Sequence, residues 1–179
     1  HIMGILSGKR GLIMGVANER SAAWGIAAAA ASHGAELAFT YQIEGFRKRL
    51  EPLAASIGSS LLIECDVAED SAIAKSFAEL STSWDSLDFV VHAIGFSDKS
   101  ELKGAYYNTS RQYFADTMLV SAFSFTEVAA AARKMMPNGG SLLTMSYLGG
   151  VRTSPNYNVM GVAKAALEAS TRYLAVDLG

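Results

Sequence analysis

Leu87-Asp88-Phe89-Val90-Val91-His92-Ala93-Ile94 is an almost unbroken apolar run. Alternating polarity would mark a strand with one face in water. A continuous run marks a strand covered on both faces, which is the habit of parallel sheets. Working outward, Gly11–Val16, Ala35–Tyr41, Ser60–Cys65 and Ser141–Tyr147 are short apolar runs bounded by glycine or polar residues, and they read as further strands. Between them, Ser21–Ser32, Gly45–Ile57, Ser71–Trp84, Ser110–Met136 and Pro155–Leu178 carry apolar residues at helical spacing. Strands alternating with helices of this length make βαβ units. The expected fold is therefore α/β: a doubly wound parallel sheet of at least five strands, in a single domain over residues 1–179.

Composition narrows the function classes. Of 179 residues, 50% are apolar and 18% charged, enough to bury a core and too apolar for intrinsic disorder. Fifteen basic residues against seventeen acidic ones give a net charge of -2, which offers no electrostatic footprint for nucleic acid. The single cysteine, Cys65, excludes an internal disulfide and suits a reducing compartment. The longest apolar stretch, Ile26–Ala31, is far short of the roughly 18 residues of a membrane span. His1-Ile2-Met3 lacks the charged start and long apolar run of a signal peptide and reads as an expression scar. The three histidines, His1, His33 and His92, are scattered, so no metal cluster is expected. A soluble, cytoplasmic protein is expected, without nucleic acid or membrane as a partner.

The strand ends carry the candidate chemistry. After the first strand comes Gly15-Val16-Ala17-Asn18-Glu19-Arg20-Ser21-Ala22, then an alanine-rich helix. A glycine in that turn lets backbone approach a pyrophosphate, and the helix N-terminus favours its charge. The usual G-x-G-x-x-G is missing, and an ordinary turn with Ser21 as helix N-cap accounts for these residues equally well. Gln42, after the second strand, is neither the acid that holds a ribose nor the arginine that meets a 2′-phosphate. Arg47, Lys48 and Arg49 follow, read as a solvated basic face, so NAD is favoured over NADP. Asp66 and Val67 end the third strand where an adenine edge could lie, although Asp66 reads as well as the start of a turn. In Ala93-Ile94-Gly95-Phe96, a glycine at the end of a central strand leaves room for a ligand at the switch point of the sheet. His92, inside that strand, reads as a core histidine.

The richest stretch runs Ser146-Tyr147-Leu148-Gly149-Gly150 to Pro155-Asn156-Tyr157-Asn158-Val159-Met160-Gly161-Val162-Ala163-Lys164. Tyr157 and Lys164 are seven residues apart, nearly two turns on one predicted helix, so both project from the same face. An ammonium near a phenol favours the phenolate and lowers the tyrosine pKa. Lysine can also grip ribose hydroxyls with its three donors.

Together these residues resemble the short-chain dehydrogenase/reductase superfamily, whose fold is Rossmann-like. Ordinary members carry Tyr and Lys four apart and a Gly-x-x-x-Gly-x-Gly turn, and this chain departs from both. The seven-residue spacing, the upstream Tyr147, Arg10–Ala17, Thr40-Tyr41-Gln42, Cys65-Asp66-Val67 and Val91–Phe96 resemble instead the bacterial NADH-dependent enoyl-(acyl carrier protein) reductases. The resemblance runs from about Gly8 to Gly179. It implies reduction of the trans-2 double bond of acyl-carrier-protein thioesters with NADH, the last step of each elongation cycle in bacterial fatty-acid biosynthesis. It implies that Gly15, Ser21 and Ala22 line the pyrophosphate, and that Gln42, Asp66 and Val67 serve the adenosine end. Ala93, Ile94 and Gly95 would lie toward the ribose and nicotinamide. Tyr157 and Lys164 would be the catalytic pair, with Tyr147 as a further catalytic residue, and Tyr147, Tyr157, Gly95, Phe96 and Met160 would shape the acyl site. The resemblance further implies a homotetramer, an acyl carrier protein as partner, and a chain lacking here its C-terminal strands and substrate loop. A carbonyl-reducing superfamily member, such as a 3-ketoacyl thioester reductase, is the alternative enzyme. A non-catalytic NAD(H)-binding protein is the alternative outside catalysis.

Overall fold

A computed structural model describes residues 4–95 and 99–179. It resolves into two compact units, one taking the chain up to Ala93 together with Ala130–Thr144, the other Ile94–Ala129 with Met145–Gly179.

The first unit holds the sheet. Its strands are β1 (Arg10–Met14), β2 (Glu36–Tyr41), β3 (Leu62–Glu64), β4 (Phe89–His92) and β5 (Ser141–Thr144). All neighbours are parallel, in the order β3-β2-β1-β4-β5. The winding runs outward from β1 to one edge and from β4 to the other, which is the doubly wound pattern expected. Helices α1 (Ala22–Ser32) and α2 (Glu44–Ser56) pack on one face through a core of Ile13, Leu37, Phe39, Tyr41, Leu50, Ala54 and Val91. Ala23, Ala27 and Ala30, spaced by four and three, are the buried stripe of α1, and their small side chains let the helix lie close to the strands. Helix α3 (Ala72–Leu80) buries Ile73, Phe77 and Leu80 at the same spacing.

The strands are shorter than the apolar runs suggest, because the flanking residues bond elsewhere. Leu87 donates its amide to the Met135 carbonyl at 2.8 Å, outside the strand ladder. The β4–β5 ladder ends with His92 opposite Thr144. His92 is a core histidine, 1% exposed, with Nδ1 2.8 Å from Thr144 Oγ1.

The second unit is helical. Helix α4 (Arg111–Met118) is capped by Ser110, whose Oγ accepts the Tyr113 amide at 3.2 Å. The helix expected over Ser110–Met136 is broken into pieces: Leu119–Phe123 forms a π turn, and α5 (Ser124–Ala132) follows it. The wider turn shifts the register, and Thr117, Ser121, Ser124 and Phe125 are all buried around it. The last helix, α6 (Asn158–Leu178), buries Val159, Met160, Ala163, Lys164 and Leu167 on one face. It starts three residues later than expected. Asn156 at φ 56° and Asn158 at φ 36° make the left-handed entry that delays it. Among the described residues no helix is long and apolar enough to cross a membrane.

Candidate active site

In the first unit the turn after β1 is built around Gly15. Its φ is +106°, and a Cβ there would lie 2.0 Å from the Ala93 carbonyl oxygen, so only glycine fits. Ser21 stands at the N-cap position of α1 yet does not cap it. Its Oγ turns back to accept the amides of Ala17 at 2.9 Å and Asn18 at 3.1 Å. Asn18 Oδ1 in turn accepts the Arg20 amide at 2.8 Å. The serine thus shapes the loop, and the first turn of α1 has neither a side-chain cap nor an acidic residue. An uncapped helix start beside a glycine that brings backbone close is a fitting cradle for the pyrophosphate of a dinucleotide.

The other residues expected on the nucleotide side also sit at strand ends. Gln42 is exposed just beyond β2. Arg47 is no simple solvated cation, because its guanidinium lies 5.8 Å over the Tyr41 ring. Asp66 starts a turn, as its alternative reading held: Oδ1 accepts the Ala68 amide at 3.0 Å and its carbonyl the Glu69 amide at 3.0 Å. Val67 beside it is buried. Ala93 continues from β4 with its amide on the Met14 carbonyl at 3.0 Å.

The second unit gathers the tyrosines and the lysine. Tyr157 is half-buried, and the Tyr147 ring meets it edge-on at 4.9 Å between centroids. Tyr147 is 52% exposed. Gly149 makes this arrangement possible, since a Cβ there would fall 2.2 Å from Tyr157 Cδ1. Lys164 is 9% exposed, and its Nζ donates to the Met145 carbonyl at 2.9 Å. That carbonyl lies just past the end of β5, where the sequence had suggested the strand would continue to Tyr147.

Two expectations about the pair need correction. Tyr157 stands at the N-cap position of α6 rather than within the helix. Nor is the phenol acidified by the lysine. Its pKa is raised above 10.0, first by burial and then by the neighbouring Tyr147. Burial lowers that of Lys164. Removal from water opposes charge on either group, and this outweighs any help the lysine gives a phenolate. The unit thus holds a neutral phenol able to donate a hydrogen bond, and a buried lysine with donors beyond the one given to Met145.

Met160 is buried, in a cluster with Leu102, Tyr113 and Val159 against which Tyr157 packs. The Ser121 hydroxyl lies 3.7 Å from its sulfur. Ile94 is half-buried and Gly95 exposed. Among the described residues a Cβ on Gly95 would meet only Met160 Cε, at an ordinary 3.8 Å, so they do not require glycine there. Phe96 lies outside the described residues. Sequence reasoning missed the contact of Gly149 with Tyr157 and the tie from Asn158 Nδ2 to the Gly104 carbonyl at 3.2 Å. The Gly149-Gly150 pair was the visible signal for the first; nothing local signalled the second.

The family model described as enoyl-(acyl carrier protein) reductase matches residues 15–179. The chain is 58% identical over 176 residues to enoyl-(acyl carrier protein) reductase (NADH) 2 of Rhizobium meliloti, covering 98% of this chain and 66% of that protein. It is similar to the crystal structure of FabI from Candidatus Liberibacter asiaticus, with TM-score 0.96, 55% identity, and coverage of 98% of this chain and 68% of that one. A reductase from Anaplasma phagocytophilum, solved in complex with NAD, matches with TM-score 0.96 and 53% identity, over 99% of this chain and 68% of that one. The chain spans about two thirds of the length of the curated relatives it matches. It belongs to the enoyl-(acyl carrier protein) reductase family.

Proposed function

We propose that this chain reduces the trans-2 double bond of acyl-carrier-protein thioesters with NADH, completing the elongation cycle of bacterial fatty-acid synthesis. The observation that carries the reading is the neutral, half-buried Tyr157 packed against Tyr147 over Gly149, with Lys164 buried in the same unit. Gly15, Ser21 and Ala22 hold the pyrophosphate of the dinucleotide, and Gln42, Asp66 and Val67 its adenosine end. Ala93, Ile94, Gly95 and Lys164 hold the ribose and nicotinamide end, Lys164 through its remaining ammonium protons. When bound, NADH supplies the hydride for the β-carbon of the enoyl thioester.

The protein's own part is electrostatic. As the double bond is reduced, charge gathers on the thioester oxygen and the Tyr157 hydroxyl donates a hydrogen bond to it, until a proton from water reaches the α-carbon and completes the saturated thioester. A donor fixed in place before reaction stabilises that charge more than it stabilises the ground state. A raised pKa suits this role, because the phenol keeps its proton throughout the neutral range. Tyr147 and Met160, with Gly95 and Phe96, shape the acyl site.

The enzyme works in the cytoplasm as a homotetramer. Exposed Phe114, Leu119 and Phe123 along α4 and the π turn supply apolar surface of the kind that subunits cover. NADH oxidation, followed by absorbance with the full-length protein, tests the reaction. A trans-2-enoyl thioester is consumed and a 3-ketoacyl thioester is not. The reverse preference would make the protein a carbonyl reductase, and inertness to both would leave a nucleotide-binding protein.

A further inference from the structure

One rung crosses the sheet at the carboxyl ends of its strands. Thr40 of β2 lies beside Met14 of β1, Met14 beside His92 of β4, and His92 beside Thr144 of β5. Thr40, Met14 and His92 are buried. A histidine in such a place is costly, because an imidazole taken from water must keep its hydrogen bonds. Part of that need is met along the rung, where Nδ1 lies 2.8 Å from Thr144 Oγ1. An apolar pair would hold the strands together as well, since a buried hydrogen bond adds little net stability over well-packed apolar groups. What this bond adds is direction. It fixes β4 and β5 to each other at the last rung of their ladder, where strands otherwise fray.

The residue after His92 reaches the turn at Gly15. The Ala93 amide is held by the Met14 carbonyl at 3.0 Å. The Ala93 carbonyl stands where a side chain on Gly15 would be. A displacement at His92 passes to Ala93 through one peptide bond, and to Gly15 through that close approach. In open parallel sheets the ligand crevice lies just outside the carboxyl ends of the strands, where this rung stands.

We propose that His92 is a positioning residue for the dinucleotide. Its bond to Thr144 holds the end of β4, and through Ala93 the Gly15 turn, in the shape that receives the pyrophosphate. Its part is geometric, and no proton transfer is assigned to the imidazole. The proposal rests on the reading of the Gly15 turn as a dinucleotide cradle, and it gives a reason for a polar pair where apolar residues would pack.

The test uses full-length protein and two substitutions at the half-buried Thr144. Thr144→Val keeps the shape of the side chain and removes the hydroxyl, whereas Thr144→Ser keeps the hydroxyl. NADH binding is followed by fluorescence titration without any thioester. In Thr144→Val the Kd for NADH rises about fivefold, and the Ala93 amide exchanges its hydrogen faster in cofactor-free protein. Thr144→Ser binds NADH as the parent does. At saturating NADH, Thr144→Val matches the parent in kcat and in KM for a trans-2-enoyl thioester. Valine also lowers the urea midpoint, because it leaves an imidazole nitrogen without this partner. The serine rescue and the split between NADH Kd and thioester KM separate positioning from general loosening. Thr144→Ala shows the same rise in Kd, and serves if valine impairs folding. Unchanged NADH affinity without the hydroxyl would overturn the proposal. Equal losses in the valine and serine variants, or losses in NADH Kd and thioester KM together, would overturn it too. A parent protein that binds no NADH would instead refute the dinucleotide reading on which it rests.

Discussion

Gly15 holds a backbone shape that other residues adopt only under strain, and the Ala93 carbonyl stands where its side chain would be. Gly15→Ala should therefore lower stability by about 2 kcal/mol or more, read as a fall in the urea midpoint. Gly95→Ala is the matched control, since among the described residues its Cβ meets only Met160 Cε at 3.8 Å. Its urea midpoint should stay within about 0.5 kcal/mol of the parent, so that any loss of NADH affinity is assigned to the cofactor rather than to the fold. Tyr157 and Lys164 carry a pH signature. The phenol is raised above 10.0, so the stability its neutral form contributes is full below pH 10.0 and is lost as pH rises through the folded value. Lys164 is lowered from 10.5, so between its folded value and 10.5 the unfolded chain binds more protons and stability rises with pH. The alkaline limb of the rate profile due to Tyr157 should thus lie above 10.0, and Tyr147→Phe should move it down by removing the neighbouring hydroxyl that helps raise it. A limb well below 10.0 would mean that Tyr157 is acidified after all.

At the scale of elements, strands and helices were legible because burial imposes a period. The continuous run around Val90 and the alanines of α1 announce a strand covered on both faces and a helix that packs closely. Events that turn on one or two residues were not. The π turn at Leu119–Phe123 widens a single turn inside an otherwise helical pattern, and no periodicity marks it. The left-handed Asn156 and Asn158 lie in a stretch whose Tyr/Lys spacing read as continuous helix. The resulting entry to α6 sets Tyr157 outside the helix and against Gly149. Asn156→Ala should cost about 1 kcal/mol of stability, and Asn156→Gly much less, in urea titrations. Gly149→Ala should push the Tyr157 ring out of place and cut turnover more than it affects NADH binding. Equal turnover in parent and variant would show that the ring contact has no catalytic consequence.

On the scale of the whole molecule, the parallel, doubly wound sheet followed from the alternation of elements, and the family from motif spacing joined to resemblance. Which residues touch was not legible: Ser21 serves the loop instead of capping α1, and Lys164 bonds the Met145 carbonyl. Neither partner is fixed by spacing, because each depends on how the chain folds back. Association belongs to this scale too. Light scattering on the eluting full-length protein should give four copies, and Phe123→Asp, which places a charge on an exposed apolar position, should yield smaller species with the monomer fold intact.

The central claim is that the Tyr157 hydroxyl stabilises charge on the thioester oxygen, and Tyr157→Phe tests it most directly. The account predicts a fall of roughly 100-fold or more in kcat on a trans-2-enoyl thioester, as for loss of an oxyanion donor, with NADH affinity unchanged by titration. Turnover equal to that of the parent protein would contradict it and remove Tyr157 from the chemistry.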